Sequence, residues 1–169
     1  MLDQWSGFFT LTGAAGATLV GLLFVVVTLN TSLTTSRTLD IAHASMTPAL
    51  YSFTDVLLQG MVVLAPWQTD WPRGLLLVLL GIGGLVYRLN RILVRRTLHL
   101  VAIQRRVDRI FHNAAPVVAS VAAVAGGIGL MVGAPFAPFA VAGSSAILLV
   151  SGIYRTWGET LALISTRTS

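Results

Sequence analysis

From Phe8 to Asn30 the chain runs for 23 residues, FFTLTGAAGATLVGLLFVVVTLN, without a single charge. As a helix rising about 1.5 Å per residue it reaches roughly 34 Å, enough to cross the hydrocarbon core of a bilayer. A secretory signal would need a basic leader and a shorter apolar run, whereas only Asp3 precedes this one. Four further apolar segments follow, at about 46–66, 74–88, 114–133 and 139–157. The chain is 55% hydrophobic and only 10% charged, where a soluble domain carries about 25% charged residues. The sequence therefore predicts an all-α integral membrane protein. Its 169 residues form a single membrane domain, a bundle of about five transmembrane helices with a cytoplasmic, Arg-rich amphipathic helical segment.

That segment is 88–112, RLNRILVRRTLHLVAIQRRVDRIFH, and it holds seven of the eleven basic residues: Arg88, Arg91, Arg95, Arg96, Arg105, Arg106 and Arg109. Leu89, Leu93, Leu100, Ile103, Val107 and Ile110 recur at helical spacing, and Arg88, Arg91, Arg95, Arg106 and Arg109 fall on the opposite face. The pattern predicts one amphipathic helix at the membrane surface, or two helical extensions, whose Arg face is solvated or binds anionic lipid or an acidic partner. The net charge of +5 is placed beside spanning segments, so lipid head groups rather than nucleic acid are its expected counterpart. Five spans with this block in the cytoplasm put Arg37, Arg155 and Arg167 on the same side and leave Arg73 alone outside, ten against one. Positive-inside bias then predicts an N-terminus outside and a C-terminus in the cytoplasm, in a bacterial inner membrane.

Within the spans, Gly13, Ala17 and Gly21 fall at i, i+4 and i+8 and form a thin stripe. Such stripes pack helices closely, either inside one subunit or between the subunits of a homo-oligomer. After a polar connection over Thr31–Ser45, Pro48 suits the first turn of the second span. Asp55 lies at the middle of that span, with Ser52 and Gln59 on the same helical face and Tyr51 beside them. A carboxylate at that depth must face protein or water, or keep its proton, and no Arg or Lys is expected inside the spans to neutralise it, Arg88 and Arg155 standing at their cytoplasmic ends. Two roles are open: a hydrogen bond between helices, or an ion or proton site. Gly81 and Gly84 mark a thin face of the third span, and Asn113 with Pro116 suits the start of the fourth.

No residues suggest soluble-type chemistry. There is no Cys, and His43, His99 and His112 are too scattered to predict a metal site. The glycines of 126–129 sit inside a span rather than between a strand and a helix, so they predict no phosphate loop. No cofactor and no enzymatic activity are expected. Two functions fit: a homo-oligomeric channel or transport protein passing ions or small solutes along Asp55, Gln59 and Ser52, or a non-transporting scaffold or regulator of a membrane protein partner.

The first span, GAAGATLVGLLFVVVTLN, the Ala-Pro-Trp turn after the second and the ending YRTWGETLALI resemble a family of small bacterial membrane proteins common in actinobacteria. Its members are often labelled modulator of the FtsH protease. The resemblance implies a partner role at a membrane-bound protease, and brings with it no functional residues.

Overall fold

The computed structural model describes residues 2–31, 36–97 and 106–165, with side chains described for Leu2, 4–26, Thr28, 47–93 and 114–157. A short 3-10 turn, Leu2–Trp5, leads into α1 (Ser6–Thr31), followed by α2 (Ser36–Leu64), α3 (Asp70–Thr97), α4 (Arg106–Met131) and α5 (Ala137–Ser165). There is no strand among the described residues. Each helix contains a stretch long and apolar enough to cross a membrane, and the protein is an all-α, multi-pass membrane bundle.

Helix α3 packs on α4, α4 on α5, α5 on α2 and α2 on α1. This order leaves α1 and α3 on the flanks. About half of the spanning stretches of α2 and α5 is buried, against 28% for α1 and 22% for α3. The flanking helices accordingly turn Leu11, Leu22, Phe24, Leu79 and Val86 outward. Such side chains would be a liability in water and are at home against lipid tails.

All five helices are longer than the apolar runs that announce them. Helix α2 begins at Ser36, so most of the Thr31–Ser45 stretch expected to be a connection is helical, and Pro48 lies deep inside the helix rather than in its first turn. Likewise α4 begins at Arg106 and runs through Asn113 and Pro116, so Asn113 is not a cap. A proline in a helix interior removes one backbone hydrogen bond, a loss that packing against neighbouring helices offsets. Both prolines are buried. The third helix starts at Asp70, inside the expected Trp turn, where its carboxylate meets the helix dipole and pairs with Arg73 at 2.8 Å.

Two turns show why the chain reverses where it does. At the end of α2, Pro66 lacks the N–H that would have reached the Val62 carbonyl, and the Trp67 indole donates to that carbonyl instead at 2.7 Å. At the end of α4, Gly133 adopts φ of 72°. The Ala134 N–H reaches the Gly129 carbonyl at 2.7 Å and the Gly133 N–H reaches Leu130 at 3.3 Å. This pair of bonds is a Schellman motif, whose left-handed residue favours glycine.

The apolar core lies between these two turns. Phe9, Val63, Leu77, Leu130, Ala137 and Val141 are buried together with Leu2. Trp5 closes over them, edge-on to Phe139 at 4.8 Å.

Candidate functional site

Toward the opposite end of the bundle, where α3 stops and α4 begins, the core becomes polar. The third span was expected to end at Arg88 with its side chain at the surface. Instead α3 continues to Thr97, and Arg88 turns inward, only 8% exposed. Its Nη2 donates to Asp55 Oδ2 at 3.2 Å, an ion pair between α3 and α2. The absence of a cation to neutralise Asp55 is thereby corrected: the cation is Arg88, the residue at which the third span was bounded.

The rest of the cluster satisfies both charges. Gln59, fully buried, donates from Nε2 to Asp55 Oδ1 and to Ser144 Oγ, each at 3.4 Å, and accepts from Ser145 Oγ at 2.8 Å. Arg88 Nη1 donates to Ser120 Oγ, which in turn donates to the Pro116 carbonyl at 3.2 Å. The guanidinium also lies 5.6 Å from the centroid of the Tyr51 ring, within the range of a cation–π contact. Tyr51 stacks on Tyr87 with centroids 4.3 Å apart, and Arg91 donates to the Tyr87 hydroxyl at 3.3 Å. Four helices thus contribute to one network in which each carboxylate oxygen of Asp55 has a donor.

Local sequence makes room for it. Gly81, Gly84 and Arg88 follow at i, i+3 and i+7 and share one face of α3. A Cβ at Gly84 would stand 2.7 Å from Arg88 Nη1, 3.1 Å from Ser120 Oγ and 3.4 Å from Asp55 Oδ2. Only a residue without a side chain leaves that volume to the guanidinium.

Of the three polar residues expected to line a path, the structure joins Asp55 and Gln59. Ser52 is buried on the same helix, but its hydroxyl donates to the Pro48 carbonyl at 3.0 Å and does not enter the network. The packing stripe also divides. Gly13 lies against Gly60 of α2, and the close neighbour on α1 is Gly16, where a Cβ would stand 2.9 Å from the Phe53 carbonyl oxygen. Ala17 is exposed, and a Cβ at Gly21 would meet nothing within 4 Å. At 3.6 residues per turn an i, i+4 row drifts by about 40° at each step. The buried positions Phe9, Thr12, Gly13, Gly16 and Leu23 instead share one face, with Thr12 and Gly13 three and four after Phe9, Gly16 three after Gly13 and Leu23 seven after Gly16.

Among the basic residues, Arg88 belongs to the core and Arg91 to the Tyr87 contact. Arg95, Arg96, Arg106 and Arg109 lie on helical backbone with side chains outside the described residues, and Arg105 lies outside them altogether. Sequence reading missed Ser120, Ser144, Ser145 and the pairing role of Arg88. The i−4 and i−7 glycines of Arg88 were the available signal.

Compared with protein families, curated proteins and solved structures, the chain matches none. The site is therefore interpreted from its geometry.

Proposed function

We propose that this protein is a non-enzymatic, non-transporting partner or scaffold in a bacterial inner membrane, where it assembles with itself or with a second membrane protein through the outward faces of its flanking helices. One observation carries the proposal. The carboxylate that would have lined a permeation path is neutralised by Arg88 and hydrogen-bonded by Gln59 inside the protomer, both charged partners being less than a tenth exposed. The core is sealed beyond Gln59 by the apolar cluster around Val63, Leu130 and Val141. A membrane-bound protease is the class of partner that the family resemblance implies. With Arg88 drawn into the bundle, nine Arg still stand against Arg73 alone, so the orientation with the C-terminus in the cytoplasm retains its motive.

The conducting alternative makes an opposite prediction. Purified protein in liposomes is expected to give no cation or anion flux above protein-free vesicles, and affinity purification from gently solubilised membranes is expected to recover a stoichiometric membrane partner or a homo-oligomer. A flux that disappears in Asp55→Asn would overturn the scaffold reading.

The two small-residue faces of α1 give a second test. Gly21 is open to the outside and Gly16 is clamped against α2. Gly21→Leu is expected to leave the melting temperature of the protomer unchanged and to dissociate any assembly built on that face. Gly16→Leu forces α1 off α2, an overpacking worth about 1–3 kcal/mol or more. Light scattering and thermal unfolding of the two variants in one detergent separate these effects, and equal behaviour of the pair would exclude α1 from self-association.

A further inference from the structure

The seam between α4 and α5 is closed at one end and notched at the other. Near the apolar core, a Cβ at Gly126 would stand 2.6 Å from Val141 Cγ2, and one at Gly129 would stand 2.9 Å from the Ala137 Cβ, so the helices touch along glycine. Farther along, Ala119 and Leu148 are buried in one cluster with Val56 of α2. Past that level the outer face opens into a groove of about 420 Å³. Its walls are Ala114, Ala115 and Val118 of α4 and Ala146, Ile147 and Val150 of α5, with Ser151 beside them. The Ser151 hydroxyl is turned back to the Leu148 carbonyl at 3.1 Å, so it presents no unsatisfied donor to the groove. The three alanines form the notch, and Val118 and Val150, both more than half exposed, stand on its rims.

What lies at the mouth of the groove identifies its occupant. One turn beyond Val150 and Ser151 on α5 come Tyr154 and Arg155, then Trp157. Tyr154 is 48% and Trp157 66% exposed, and exposed Tyr and Trp at the end of a spanning helix mark the head-group level of the bilayer. Arg155, partly exposed and four residues after Ser151 on the same helical face, therefore stands at the depth of lipid phosphates, one turn beyond the apolar slot. This is also the end of the bundle at which α3 passes into α4 and most of the Arg residues of the chain are found.

We propose that the α4–α5 groove is a binding site for an anionic phospholipid, with one acyl chain in the slot between Ala115 and Ala146 and the head-group phosphate on Arg155. The site is independent of how the protein is oriented in the membrane and of whether it has a protein partner. It differs from diffuse attraction to the Arg-rich segment, because it requires the slot as well as the charge.

Native mass spectrometry of the protein released from nanodiscs containing equal amounts of phosphatidylglycerol and phosphatidylcholine tests it. Wild type is expected to retain phosphatidylglycerol in preference to phosphatidylcholine. Arg155→Gln removes one interfacial charge and should lower the retained anionic lipid about fivefold while leaving phosphatidylcholine unchanged. Ala115→Leu with Ala146→Leu fills the slot and should lower both lipids with Arg155 intact. Should that double variant fail to fold, Ala146→Leu alone provides the same readout with a smaller loss. Equal retention of the two lipids by wild type, or unchanged retention in Arg155→Gln, would overturn the proposal. So would a loss of dimer or partner without a loss of lipid on filling the slot, because the groove would then hold a helix rather than an acyl chain.

Discussion

Arg88→Leu should lower the melting temperature of the detergent-solubilised protein by about 10 °C, from the ~3–5 kcal/mol that removing one partner of a buried ion pair costs and the ~2–4 °C that each kcal/mol represents in a chain of this size. The loss arises because Asp55, 5% exposed, would then face Gln59 alone. Asp55→Asn should also be strongly destabilising, since it strands a guanidinium 8% exposed beside Ser120 and Tyr51. A solitary, protonated Asp55 would have made that substitution nearly silent. Thermal unfolding followed by tryptophan fluorescence distinguishes the two cases.

The second large effect is steric. Along the α3–α4 seam, a Cβ at Gly127 would stand 2.7 Å from the Gly74 carbonyl oxygen and 2.9 Å from the Val78 nitrogen, both backbone atoms that cannot rotate away. Gly127→Ala should therefore cost about 1–3 kcal/mol through forced separation of the helices, even though alanine is the better helix former. Gly83, on the same seam's outer side, has nothing within 4 Å of its Cβ position. Gly83→Ala should be neutral or stabilising by up to about 1 kcal/mol, the helix-propensity difference. Equal melting temperatures for the two variants would mean that α3 and α4 do not meet through glycine.

The comparison of sequence and structure turns on what hydropathy measures. It reports the length of chain that lipid can cover, and so five spans were legible, from the uncharged run at 8–30 to the last near 139–157. It does not report where a helix continues beyond lipid. Hydropathy accordingly suggests helix starts near Pro48 and Pro116, although both lie inside longer helices. Charge counting placed Arg88 with the surface arginines because its neighbours in sequence are Arg91 and Arg95. Its neighbours on the helix face, Gly84 and Gly81, point inward and decide its position. Asp55 and Gln59 were legible because a carboxylate in an apolar span demands an explanation. Ser120, Ser144 and Ser145 were not, since a small hydroxyl residue bonds readily to its own helix and carries no mark of a distant partner.

A double-mutant cycle on Asp55 and Arg88 tests the central claim most directly, by comparing the unfolding free energies of wild type, Asp55→Asn, Arg88→Gln and the double variant in the same detergent. If the two residues neutralise each other in the closed core, the double variant is no less stable than the worse single variant and the coupling energy is about 2–3 kcal/mol. Additive losses, with a coupling near zero, would contradict the pairing and return Asp55 to the role of an unneutralised group exposed to water or to another subunit.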